Sequence, residues 1–348
     1  MIPAESRLRI FAGFAFAAGL AVVAKFVYFA TGSRISPVLC AIAIGILWRN
    51  LIGVGAWAQS GLEFTSQTVL RIGIALIGLR LTFLVLADTS LVAVPVVIAC
   101  VTVALTVALG LGRLMGVPRE MRQLLAAGTA ICGATAIIAV APLLRAKKAD
   151  VGIALTCIVL FGSLAMMGYP WLAGAVFGNS HLNAGVFLGA SIHDTSQVVG
   201  ASLIYAQQFN APDAVPIAGL TKFMRTLGLL VVVPLAAWWG SRGESALLET
   251  KTGVRQKAIP GFVLFFIGFV ILRTLGDHYA GARMADWQAA LAFAQGASEW
   301  LLLFGMAAVG LGVTFSHLRE AGWRPILLSF TAAVLTGACG LALSYSLR

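Results

Sequence analysis

Apolar runs of about 20 residues recur from one end of this chain to the other, and that is the length an α-helix needs to cross a bilayer. They fall near 10–30, 36–52, 68–87, 90–112, 151–173, 214–239, 259–276, 298–316 and 324–346. Residues of the AVILMFWYC set make up 60% of the chain and DEKR only 11%, against about 45–50% and about 25% in soluble domains. That excludes an ordinary soluble enzyme, a disordered chain and a disulfide scaffold. The expectation is one all-α, polytopic membrane domain over 1–348. The N-terminal Arg7 and Arg9, followed by Ile10–Phe26, resemble a signal peptide, but the apolar run continues to Ala30 and reads as a retained first helix.

Two further apolar stretches, near 119–145 and 182–207, are interrupted by small and polar residues. The first reads Gly128-Thr-Ala-Ile-Cys-Gly-Ala-Thr135 and the second Gly189-Ala-Ser-Ile-His-Asp-Thr-Ser-Gln197. Backbone of that kind is tolerated at membrane depth only where it is buried in protein or lines a wet cavity.

The net charge of +11 does not point to nucleic acid, because the cations sort by membrane side. Fifteen of the 24 Lys and Arg fall in or beside one set of loops, and Arg34, Arg283 and Arg348 on the other. The positive-inside rule makes the first set cytoplasmic, with the N-terminus inside and the C-terminus outside. Both flanks of the first broken stretch are basic, and the flanks of the second, Gly178–Ala184 and Gln207–Pro216, carry no Lys or Arg. The simplest arrangement dips the first in from the cytoplasm and the second in from outside. This predicts about nine spanning helices plus two broken or re-entrant ones. The alternative is eleven crossing helices, two of them broken.

Internal similarity points to an inverted repeat, an architecture of secondary transporters. Gly128–Ala139 aligns with Gly189–Gly200 at two identical and mostly conservative positions, and Gly73–Phe83 matches Gly305–Phe315 at six of eleven. The two matches do not fall in one tandem order.

Ionisable residues inside a membrane are costly and mark function. The second break holds His193, Asp194, Thr195, Ser196 and Gln197; His193 and Asp194 are the candidate proton carriers. Asp194 with Thr195 and Ser196 also reads as a helix N-cap. Lys222 and Arg225, three residues apart and so on one helix face, sit too deep to snorkel easily; they suit an anion, or else form a structural ion pair with Asp194 or another acid. Thr129 and Cys132 offer a hydroxyl, a thiol and adjacent backbone donors. The candidate anion site is therefore Lys222, Arg225, His193, Ser196, Gln197, Thr129 and Cys132. Arg80 is either functional or an outward anchor, and Lys25, Arg71 and Arg273 read as anchors. The five cysteines lie in apolar segments with no paired spacing. One Cys and one His make no metal set. No GxxxxGK[ST], GxSxG or HExxH occurs, which speaks against a nucleotide-driven pump and against known hydrolases. No cofactor is expected.

Four segments, Leu70–Phe83, Gly128–Ile137, Gly189–Val199 and Thr221–Leu230, resemble in sequence and order the motifs of the YeiH-type sulfate-exporter family of membrane proteins. Family members often carry Glu where this chain has Asp194. The resemblance implies export of a small sulfur oxyanion across a bacterial inner membrane, and a grouping with cation/proton antiporters that would make the broken segments crossing helices. The partners it implies are a small inorganic or sulfonated anion and the bilayer, with a homodimer open. A cation/proton antiporter working through Asp194, and an intramembrane enzyme with His193 and Asp194 as acid–base pair, are the competing readings.

Overall fold

In the computed structural model the described residues are 4–31, 36–178, 180–228, 261–314 and 322–347, and every regular element among them is helical. The chain runs through α1 (Ala4–Ala30), α2 (Pro37–Leu51) and α3 (Ala56–Arg80, through a π turn and a closing 3-10 turn). It continues through α4 (Phe83–Thr106, carried on to 114), α5 (Arg119–Ala130), α6 (Ala134–Val140) and α7 (Lys148–Phe177). Next come α8 (His181–Ser191), α9 (Thr195–Gln208) and α10 (Ala214–Leu227), then α11 (Gly261–Tyr279), α12 (Met284–Gly312) and α13 (Trp323–Ser346). Six described helices are long and apolar enough to cross a membrane, and α2 is a shorter apolar one. The expected third span shifts: the helix begins at Ala56, ends at Arg80, and a break at Leu81–Thr82 precedes α4. The far half of the expected 214–239 span, with Trp238, Trp239, Arg242, Lys251, Arg255 and Lys257, lies outside the described residues, as do Arg34, Arg319 and Arg348.

Both broken segments re-enter. A Cβ on Gly128 would lie 2.8 Å from the Ile137 side chain. Nine residues of continuous helix would separate them by about 13 Å, so α6 doubles back along α5. The second segment closes the same way from the other end. The Tyr205 hydroxyl donates to the Gly178 carbonyl at 2.7 Å, and the His181 ring meets Asp213 at 3.4 Å. Helix α10 then runs alongside α8, with Ile217 against Gly185 and Thr221 against Gly189. A half-helix of 11 or 12 residues reaches about 16–18 Å, roughly the middle of a 30 Å hydrocarbon layer. The first hairpin leads into the start of α7, with Arg119, Arg122, Arg145, Lys147 and Lys148 at its base, and α7 then runs 30 residues, about 45 Å, to the second hairpin. The second enters from the opposite end. Both segments are hairpins among the described residues, as in the re-entrant arrangement.

The helices sort into two bundles. One is α1, α2, α3, α11 and α12; the other is α4 to α10 with α13. Glycines permit the closest approaches inside the first: Gly13 meets the backbone of Ala58 and Gly61, and Gly45 that of Ala307 and Gly310.

Candidate functional site

The sequence match between the two hairpins is also a structural match. Helix α5 ends at Ala130 and α8 at Ser191; the capping residues are Ile131 and Ile192; the returning arms start after Gly133 and Asp194. Each pair occupies aligned positions. The second repeat behaves alike. Leu81 and Val313, aligned with each other, are extended residues ending a helix, and their N–H groups donate to Gly78 and Gly310, also aligned.

The two breaks touch. Gly133 has φ +65° and ψ −125°, a conformation closed to side-chain-bearing residues, and a Cβ there would lie 2.9 Å from Asp194 Oδ2. Asp194 caps α9: its Oδ1 accepts from the Ser196 N–H at 2.9 Å and from the Ser196 hydroxyl. Gln197 completes the capping box by accepting from the Asp194 N–H at 3.3 Å, and its amide nitrogen donates to Val159 O at 3.0 Å and Ser163 at 3.4 Å. Gly162 of α7 leaves the space for that amide.

Lys222 and Arg225 have no exposed surface. They pair with neither Asp194 nor any other acid among the described residues, and the structural ion pair is overturned. Their partners are main-chain carbonyls at the C-terminal ends of the two half-helices. The Lys222 ammonium donates to Ile131 O and Ile192 O, both at 2.9 Å, and to His193 O. Arg225 donates through Nε to Ala130 O at 2.7 Å, through one terminal nitrogen to Ala190 O and to Ile192 O at 3.1 Å, and through the other to Thr129 O. Lys222 thus bridges the aligned pair Ile131/Ile192, and Arg225 the aligned pair Thr129/Ala190.

The physical reason is that a helix cut at membrane depth leaves its last carbonyls without intrahelical donors, and its C-terminal end carries about half a negative charge. Two such ends face each other here, both buried. Two cations on one helix satisfy both.

Cys132 and Thr129 are buried at the same crossing, with Cys132 within electrostatic reach of Lys222 and Asp194. The His193 ring lies against the Thr129 main chain. All seven sequence-derived residues, with Asp194, therefore converge. Their roles divide, however. Gln197 and Ser196 are engaged in capping, and the three hydrogens of Lys222 already have three acceptors. The polar groups left buried and unpartnered at the crossing are Thr129 Oγ1 and His193 Nδ1, and beside it Ser191 Oγ, which faces Gly340 of α13. Ser191 was missed although it stands in the quoted run, and Gly133 was readable from its alignment with Asp194.

The outlying cations stand apart from the crossing. Arg80 pairs with Glu299 at 2.8 Å, Lys25 sits 3.9 Å over the Trp300 ring, Arg71 faces Phe262, and Arg273 binds Asp277 at 2.6 Å and Leu79 O at 3.2 Å. No group of His, Cys, Asp and Glu able to hold a metal occurs among the described residues.

The sequence model of a family described as conserved hypothetical protein 698 matches residues 12–329. A UPF0324 membrane protein of Bacillus cereus is 31% identical over 307 residues, covering 88% of this chain and 86% of the relative. UPF0324 membrane proteins named TauZ, from Paracoccus pantotrophus and Paracoccus denitrificans, are each 33% identical over 338 residues, covering 96% of this chain and 95% of the relative. No solved structure matches. The chain belongs to the conserved hypothetical protein 698 family of membrane proteins.

Proposed function

We propose that this member of the family is a secondary transporter of a small anion, with sulfur oxyanions such as sulfate or sulfite as the substrate class and export as the direction. The observation that carries the reading is the crossing itself: two hairpins entering from opposite ends, broken at aligned positions, joined by two buried cations. A site held between opposed hairpins is the arrangement that alternating access uses.

Charge favours an anion. Two cations, one carboxylate, two half-helix C-terminal ends of about −0.5 each and two returning N-terminal ends of about +0.5 each leave about one positive charge. The substrate meets the Thr129 hydroxyl and the His193 ring, with Arg225 supplying field and its one remaining N–H, and Cys132 part of the wall. Lys222 acts through its field and not as a direct ligand. His193 and Asp194 carry the coupled proton. The resemblance to sulfate exporters supports the substrate class, and the bacterial relatives support a cell-membrane location with the basic end inside.

A cation antiporter is the second reading, but the place where a cation would meet carbonyl oxygens is filled by the Lys222 ammonium. The enzyme reading has no nucleophile or metal beside His193 and Asp194. Purified protein in proteoliposomes decides: labelled sulfate or sulfite should accumulate against an imposed pH gradient and sodium should not. Sodium movement with no anion flux would overturn the proposal.

A further inference from the structure

We infer that the carbonyl crossing is a monovalent-cation cage whose resident is the tethered ammonium of Lys222, so that the protein binds no soluble cation there. The geometry is that of a small cation site. Three carbonyl oxygens, Ile131 O, Ile192 O and His193 O, converge on one positive centre, and the side chain that brings it is wholly buried. An ammonium has three hydrogens and no acceptor, so it matches three carbonyls and nothing else. The oxygens come from both hairpins. An untethered ion at this position would therefore have to bind before the breaks could meet, and the tether removes that requirement.

The other charges facing the cage are few. Arg225 is one helical turn away on the same helix and bonds to four carbonyls, one of them the Ile192 O of the cage. Asp194 lies on the second break, occupied at Oδ1 by Ser196. The Cys132 thiol and the His193 ring complete the surroundings. None of these supplies a carboxylate to the ammonium. The oxygens that hold it are neutral, as in sites that take an alkali or ammonium ion by replacing its hydration shell. Removing the side chain beyond Cβ leaves those oxygens around a space the size of the lost propylammonium. Ligands of that space are ammonium, methylammonium and, by size, potassium or sodium.

The test uses purified protein in detergent, read by thermal unfolding without any anion substrate, so that its outcome is separate from the transport reading. Lys222→Ala should unfold at a lower temperature than the parent. Methylammonium should restore at least half of that loss, saturably at millimolar concentration, and tetramethylammonium, too large for three converging carbonyls, should restore none. The parent should show no saturable response to sodium, potassium or methylammonium. Lys222→Ala that folds but ignores methylammonium, ammonium, sodium and potassium alike would overturn the inference. If Lys222→Ala yields no folded protein, the parent alone decides: saturable stabilisation by sodium or potassium means that a soluble cation shares the crossing, and the inference fails.

Discussion

Replacing Arg225 by Lys keeps a positive charge at the crossing and removes the fork. The guanidinium reaches both hairpins: Thr129 O and Ala130 O on the first, Ala190 O and Ile192 O on the second. Ile192 O keeps a second donor in Lys222 and Thr129 has the His193 ring against its main chain, which leaves Ala130 O and Ala190 O with no other side-chain donor among the described residues. A single ammonium on a shorter reach cannot serve both sides: settled on the first hairpin it strands Ala190 O, and settled on the second it strands Ala130 O and leaves Thr129 O to the His193 ring. Each hydrogen bond to a charged group contributes about 1.5–3 kcal/mol, so Arg225→Lys should cost about 2–5 kcal/mol. The assay is unfolding in detergent followed by tryptophan fluorescence, with hydrogen exchange at the two breaks. Stability should fall, and exchange should rise at 129–133 or 190–194, on the hairpin the ammonium abandons. A variant within about 0.5 kcal/mol of the parent, with both breaks exchanging as before, would refute the view that the planar fork holds the hairpins together.

Gly133→Ala should destabilise by about 1–3 kcal/mol from backbone strain alone, before the added Cβ meets Asp194; a melting temperature equal to the parent's would mean the break relaxes freely. Asp194→Ala should cost about 1 kcal/mol of cap and Asp194→Asn much less, as measured by the same unfolding, because Asn keeps the acceptor for the Ser196 N–H. In intact cells lacking the native cysteines, Lys147→Cys should resist an impermeant thiol reagent that labels Asp213→Cys, because the two residues lie at opposite ends; labelling of both from outside would contradict the opposed hairpins.

The sequence was most informative where charge and apolar length coincide. Basic flanks around Arg113–Arg122 and Arg145–Lys148 and neutral flanks around 178–184 and 207–216 were enough to place the two hairpins at opposite ends, and the alignment of Gly128–Ala139 with Gly189–Gly200 matched the two broken runs to each other. The purpose of Lys222 and Arg225 was not legible. Two cations three residues apart show a shared face, but main-chain acceptors leave no trace in side-chain identity, so a search for a counter-charge looked to Asp194 or to a bound anion. The start of α3 at Ala56 was also hidden, because Gln59, Glu63 and the polar run Thr65–Thr68 interrupt its hydropathy. The π turn over Thr65–Val69 and the Thr65 hydroxyl, which donates to the Gly61 carbonyl at 2.6 Å, carry the helix through it.

The cations also restrict how the crossing can move. Seven hydrogen bonds from one helix reach both hairpins, and parting the hairpins would strand a buried charge, which costs about 3–5 kcal/mol when one partner of a buried pair is lost. The crossing therefore travels with α10 as one body, and any exposure of it to the two ends in turn must come from sliding against the bundle of α1, α2, α3, α11 and α12. The face between the bundles is suited to that. Gly200 of α9 lies against the thioethers of Met166, in its own bundle, and Met306, across the face; unbranched methionines adapt to shifting neighbours. In a background lacking the other cysteines, Gly200→Cys joined to Met306→Cys by a short thiol cross-linker should stop anion flux in proteoliposomes, and reduction of a cleavable linker should restore it. Cys100 joined to the native Cys339, both within the hairpin bundle and in contact across α4 and α13, should leave flux intact. Flux that survives the first cross-link, or stops with the second, would show that the moving boundary runs elsewhere, through the hairpin bundle itself.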